Sequence, residues 1–164
     1  MRARPRETLK PYEPKSLVFP DGFVLLQDTR EQRPLFTRLP KGLVVQSVTL
    51  KDGDYSVKGF QNSIVFERKG ISDLYPYCST EREKTIEKMK RLSRMDFAAL
   101  VIEARESEVF QHQTFTRVHP ATVAGAIISF RVRYGVHIFF GNRDSCARYI
   151  LEHALRYYNI AHEV

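Results

Sequence analysis

The chain has 164 residues, a length that suits one domain around one hydrophobic core. Its apolar fraction of 43%, with eleven Phe and eight Tyr, excludes a disordered chain, and no apolar run is long enough to span a membrane or to follow the basic N-terminus as a signal segment. A formal net charge of +7 favours a polyanionic partner, although solvated lysines alone also produce such a balance.

Residues 1–16 are basic and punctuated by Pro5, Pro11 and Pro14, so they are expected to form an arm, with a single domain over 17–164. The run from Phe23 to Gln27 predicts a buried strand with Asp28 at its C-terminal end. Leu43 to Leu50 is rich in β-branched residues and predicts a second strand. Val57 to Phe60 and Ser63 to Lys69 predict two more, joined as a hairpin through the Gly59 to Asn62 region. Ser72 is the expected N-cap of a short helix, with Asp73 in its first turn and Pro76 limiting it. A longer helix is predicted over Glu81 to Met95, with Ile86, Met89 and Leu92 as an apolar stripe and Lys84, Glu87, Lys88 and Arg91 on the wet side. Phe97 to Glu103 predicts a strand central in the sheet. The polar stretch from Ala104 to His119 predicts no element. His119-Pro120 then opens a helix with Pro at its first position, Val123, Ile127, Phe130 and Tyr134 on one face, and Gly135 at its end. Val136 to Phe140 predicts a strand, and Asp144 to Tyr158 a last helix. The order predicts an α/β domain with a mixed sheet flanked by helices.

Cys78 and Cys146 lie far apart without metal-type spacing and are expected to be reduced thiols. The five histidines show no zinc spacing, and no GxxxxGK[ST] loop is present, so no nucleotide cofactor is implied.

The stretch from Gly53 to Asp73 carries the chemistry. In a strand alternate residues share a face, so Glu67 and Lys69 point one way and Arg68 the other. A hairpin brings Asp54 near Glu67. Two carboxylates suit a hard cation such as Mg²⁺, which acidifies water and neutralises charge on a phosphate. Lys69 is then placed to orient that water or to stabilise the transition state. A bare Asp…Glu-x-Lys pattern is a weak signal, since such pairs are usually exposed ion pairs.

The spacing is more specific than that. Gly53-Asp54, twelve residues, Glu67-Arg68-Lys69, three residues and Asp73 resembles the GDxₙERKxxxD signature of the XPF/Hef family of structure-specific endonucleases. Asp28-Thr29-Arg30-Glu31 resembles the segment that precedes it in that family, and the similarity runs from Phe23 to Tyr158. The resemblance implies a restriction-endonuclease-like fold that cleaves DNA with Mg²⁺, or Mn²⁺ in its place. It implies Asp28, Asp54 and Glu67 as metal ligands, Lys69 as the catalytic lysine, and Arg30, Glu31, Arg68 and Asp73 as supporting residues. Alternation places Arg68 off the metal face, where a salt bridge to a neighbouring helix is the plain alternative. Arg82, Lys84, Lys88 and Arg91 are candidates for phosphate contacts.

Larger family members carry a helix-hairpin-helix module for which this length leaves no room, so a stand-alone, intracellular form of bacterial or phage kind is expected. Family domains pair through their C-terminal helices, which implies a homodimer or heterodimer with Val123, Ile127 and Phe130 as candidates beside core packing. The substrate implied is branched, forked or flapped DNA in repair or recombination. The alternative is a non-catalytic DNA-binding or scaffolding partner, which would have lost acidic or lysine positions that this chain keeps.

Overall fold

A computed structural model describes residues 16–163. All of the expected arm but Ser16 lies outside them. Six strands form one sheet in the order β2-β1-β3-β4-β5-β6. They are β1 (Val24–Asp28), β2 (Val44–Val48), β3 (Tyr55–Val57), β4 (Ile64–Lys69), β5 (Phe97–Glu103) and β6 (His137–Gly141). The helices are α1 (Ile71–Cys78), α2 (Arg82–Leu92), α3 (Glu106–Val109), α4 (Pro120–Tyr134) and α5 (Arg143–Ala161).

The sheet is mixed, as the element order predicts. β3 is antiparallel to β1 and β4, whereas β1 with β2, β4 with β5, and β5 with β6 are parallel. The antiparallel β3–β4 pair needs only a short turn, while each parallel step from β4 to β6 is bridged by helices. One result matters for the site. The C-terminal ends of β1, β4, β5 and β6 and the N-terminal end of β3 all lie along one sheet edge.

Strand alternation divides the core in two. Val65, Ala98, Leu100 and Ile102 face α1, α2 and α4, packing on Leu74, Tyr75, Met89, Val123 and Ile127. Ile64, Phe66, Ala99 and Val101 face α5, packing on Cys146, Ile150 and Ala154. Burying a side chain of this size contributes about 1.5–3 kcal/mol. The link from β1 to β2 contains no helix; Leu35 and Phe36 plug it into the α5-side core instead, and the Leu35 N–H donates to the Tyr55 hydroxyl at 2.9 Å.

α4 follows its sequence signals closely. The His119 ring accepts the Ala121 N–H, Pro120 occupies the first position, and Gly135 closes the helix at φ +64°. Other expectations need correction. α1 is capped by Gly70, and Ser72 lies within the helix. Pro76 sits inside α1 without ending it, since the helix runs on to Cys78. α2 buries Thr85 rather than Ile86 beside Met89 and Leu92. A short helix, α3, occupies part of the stretch with no predicted element. β5 lies next to the edge strand β6 rather than at the centre. Val123, Ile127 and Phe130 are buried within this chain, so they are not available to a partner; the exposed apolar residues of α4 are Ile128 and Val132. Both cysteines are buried free thiols. Among the described residues no helix is long and apolar enough to cross a membrane.

Candidate active site

β3 and β4 pair Tyr55 with Phe66 and Ser56 with Val65. Asp54 stands just before β3, where the regular ladder ends: its N–H donates to the Phe66 carbonyl of β4 at 2.8 Å, which places it beside the Phe66–Glu67 stretch. The Glu67 charge acts on the Asp54 carboxyl, so two carboxylates lie near each other at this end of the sheet, an arrangement that is unfavourable unless something compensates it. Glu67 is 4% exposed.

The turn before Asp54 is built to hold it there. Gly53 has φ +79°, a conformation that side chains other than glycine's rarely adopt, and a Cβ there would overlap Val65 Cγ2. Asp52, itself buried, is clasped by Arg91 of α2, whose Nε and Nη2 donate at 3.0 and 2.9 Å. The backbone of Asp54 is tied to β1 through its carbonyl, which accepts the Asp28 N–H at 2.8 Å.

Burial and the neighbouring Glu67 charge push the Asp54 carboxyl up to about 7, against the opposing pull of the Arg68 N–H, which donates to Asp54 Oδ2 at 2.8 Å. Lys69 Nζ lies 3.2 Å from Glu67 Oε1. Burial pulls the Lys69 ammonium down, but the Glu67 charge and hydrogen bond, helped by Asp54 and Asp73, outweigh it and hold its pKa above the usual lysine value. The lysine therefore stays charged.

Arg68 points to the opposite face, as strand alternation predicts. It does not hold a helix. Its Nη1 donates to Glu31 Oε1 at 3.1 Å and to the Arg33 carbonyl at 2.8 Å, and its Nε donates to Glu103 Oε2 at 3.0 Å. Arg68 thus ties the link after β1 to the end of β5. Arg143 from α5 adds to this knot, donating to the Pro34 carbonyl.

Asp28 is buried, and the Arg30 Nε donates to its Oδ2 at 2.9 Å. Burial works against its charge, and the Arg30 hydrogen bonds outweigh burial, so the carboxyl titrates below its ordinary range. Arg30 also donates to the Leu50 carbonyl at 2.7 Å. Asp28 thus lies at the same sheet edge but is taken up by Arg30. Among the described residues no three or more His, Cys, Asp or Glu side chains converge as a metal-holding group. The two carboxylates that do meet are Asp54 and Glu67. They fit a small hard cation that keeps several waters, because such an ion needs only one or two carboxylates, and their neighbouring charges are what a cation would offset.

A cleft of about 630 Å³ opens at this edge. Asp54, Lys69, Ser72 and Asp73 line it, together with Arg30, Arg33, Arg68 and Arg143 and the acidic Glu31 and Glu103. Gly70, Ser72 and Asp73 at the α1 N-terminus also line it, and Gly70 supplies no side-chain cap to the first N–H groups of the helix.

Of the four residues expected to meet phosphates, Arg82 and Lys84 are exposed. Lys88 and Arg91 turn inward to ion pairs, Lys88 with Glu67 at 3.1 Å and Arg91 with Asp52. Lys88 is therefore not on the wet side of α2, where the helical stripe predicts it. Its spacing of three after Thr85 and four before Leu92, both buried, is the signal that it borders the inward face. Glu103 and Arg143 are not expected at the site from the sequence either, since neither lies within the signature.

A six-stranded mixed sheet flanked by helices, with Asp54, Glu67 and Lys69 at one end, is the arrangement that the resemblance to a nuclease domain implies. The chain belongs to the ERCC4 domain family, which it matches over residues 27–152. Among solved structures it resembles XPF from Aeropyrum pernix, with TM-score 0.62 and 22% identity over 80% of this chain and 63% of that one. It also resembles XPF from Aeropyrum pernix in complex with DNA, with TM-score 0.61 and 20% identity over 85% of this chain and 66% of that one. The chain thus spans just under two thirds of the length of either structure. Comparison with curated protein sequences finds no match.

Proposed function

We propose that this chain is a Mg²⁺-dependent DNA endonuclease that hydrolyses phosphodiester bonds, with branched, forked or flapped DNA of repair or recombination as its substrate class and Mn²⁺ as a substitute cation. The observation that carries this reading is the pair of neighbouring carboxylates, Asp54 and Glu67, with the Lys69 ammonium 3.2 Å from Glu67. Two neighbouring carboxylates beside a cleft, one of them with a strongly raised pKa, are what a functional site builds. The family match and the likeness to an XPF solved with DNA support the substrate.

Asp54 and Glu67 would hold the cation, which supplies an acidified water and charge neutralisation at the phosphate. Lys69 lines the cleft and offers a fixed positive charge where negative charge develops on the phosphate. The α1 N-terminus offers N–H donors to the same phosphate from the other side. Arg30, Arg33 and Arg143 bring positive charge for a nucleic-acid backbone to walls that also carry Glu31, Asp73 and Glu103. Arg68 and Glu31 hold the walls together and leave the chemistry to the other face. Asp28 keeps Arg30 in place, and Asp73 adds to the field on Lys69. Residues 17–164 form the catalytic domain in this reading.

The test is a panel of flap, fork, nicked, linear duplex and single-stranded DNA, each incubated with Mg²⁺, with Mn²⁺ and with a chelator. Cation-dependent cutting of the branched substrates is expected. Absence of cutting with either cation on every substrate would sink the enzymatic reading.

A further inference from the structure

Two ammonium groups meet Glu67. Lys69 Nζ lies 3.2 Å and Lys88 Nζ 3.1 Å from the same oxygen, Oε1. They arrive from different elements. Lys69 ends β4 and lines the cleft, whereas Lys88 comes from α2 and is absent from the cleft wall. Both stand over one aromatic ring, with Lys69 Nζ 4.8 Å and Lys88 Nζ 5.9 Å from the centre of Tyr77. Tyr77 is 4% exposed, and its hydroxyl finds no hydrogen-bond partner among the described residues. The ring is therefore a buried shelf whose negative face attracts both cations and limits where they can stand.

Lys69 has a ready use in the chemistry, and Lys88 does not share it. Lys88 reaches the carboxylate from behind, through the helix layer. An ammonium at 3.1 Å from Oε1 occupies one of the few directions from which that oxygen can be approached, and it repels any second cation drawn to it.

We propose that Lys88 is a positioning residue that holds the Glu67 carboxylate from the α2 side and competes with a divalent cation for Oε1. The inference rests on the metal-site reading above and adds to it a built-in competitor. Cation binding is then weaker than the two carboxylates alone would give, because the ammonium must give up part of its contact with Glu67.

The experiment is a Mn²⁺ titration of the full chain without DNA, followed by the electron paramagnetic resonance signal of free Mn²⁺. Asp54→Asn serves to subtract binding elsewhere. Lys88→Met and Lys88→Gln are two neutral variants, so that one misfolded protein does not decide the result, and thermal melting checks that each is folded. Lys88→Arg retains the charge. The expected result is an Asp54-dependent dissociation constant about tenfold lower in both neutral variants, the size of effect that one neighbouring charge of this kind has on a site. In Lys88→Arg it stays within about twofold of the parent, because the guanidinium is always charged. A role limited to holding α2 in place would leave the constant unchanged or raise it in the neutral variants, and that result overturns the proposal while leaving the metal site standing. If the parent itself shows no Asp54-dependent Mn²⁺ binding, the metal-site reading fails and the competition proposed for Lys88 fails with it.

Discussion

Replacing Asp54 by Asn is expected to stabilise the cation-free protein and to do so in a pH-dependent way. In the folded chain the Asp54 carboxyl is raised from 3.8 to about 7 by burial and by the Glu67 charge. Between those two pH values the folded state binds more protons than the unfolded state, so stability falls as pH rises. The loss is complete above the folded value and absent below the unfolded one. A tenfold change in an acidity constant corresponds to about 1.36 kcal/mol, so the whole rise carries at most about 4 kcal/mol. Between about pH 5 and about pH 8 the part lost is about 3 kcal/mol, because titration ends near 7. Asn removes the titration and keeps an oxygen that can accept the Arg68 N–H. Urea unfolding of the parent and the Asp54→Asn variant in chelator, at about pH 5 and about pH 8, measures the effect. The stability advantage of the variant should be larger by about 3 kcal/mol at the higher pH. An advantage that does not grow with pH would refute the claim that Asp54 is held as an unfavourable buried charge. The same substitution should abolish cleavage, so stability and activity move in opposite directions.

Three further outcomes follow from the geometry. Arg68→Ala leaves Glu31 and Glu103 without their shared partner and should cost about 3–5 kcal/mol, read as a fall of about 10 °C in thermal midpoint, and Lys in its place should restore little because it cannot span three acceptors. Gly53→Ala forces a Cβ onto Val65 Cγ2 and the Phe66 carbonyl at a positive φ; it should cost about 2–4 kcal/mol and lower cleavage by displacing Asp54, which unfolding and activity measurements on one preparation would check. DNA affinity should fall steeply as salt rises, and Arg33→Ala, at an exposed position of the cleft wall, should lower the slope by about 1 in a binding titration across salt, whereas Arg91→Ala should not, because Arg91 is committed to Asp52.

Some of this arrangement is legible in the sequence for clear physical reasons. Period-two alternation from Ile64 to Lys69 sends Phe66 and Arg68 to one face and Val65 and Glu67 to the other, because successive side chains of a pleated strand point to opposite faces. α4 is legible because His119, Pro120 and Gly135 act locally, through a cap, a fixed φ and a left-handed turn. What stays hidden depends on contacts across elements. Nothing near Lys88 in the chain says that its ammonium meets Glu67, twenty-one positions earlier. The expectation that Arg68 braces a helix fails for the same reason, since Glu31 and Glu103 lie far from it in sequence and reach it only through the sheet. Ser72 has the residue type of a cap, but the strand runs to Lys69 and leaves Gly70 as the only residue before the helix. Asp28 is grouped with the metal ligands by resemblance, and the short reach to Arg30 is what occupies its carboxylate here.

The account stands or falls on whether Asp54 and Lys69 act on DNA rather than merely hold the sheet edge together. Single-turnover cleavage of a flap substrate with Mg²⁺, comparing the parent with Asp54→Ala and Lys69→Ala at equal DNA occupancy, tests this most directly. The account predicts that each variant still binds the substrate and that its cleavage rate falls by about 10²-fold or more, the scale of losing a group that stabilises the transition state. Variants that bind DNA and cut it at the parent's rate would contradict it.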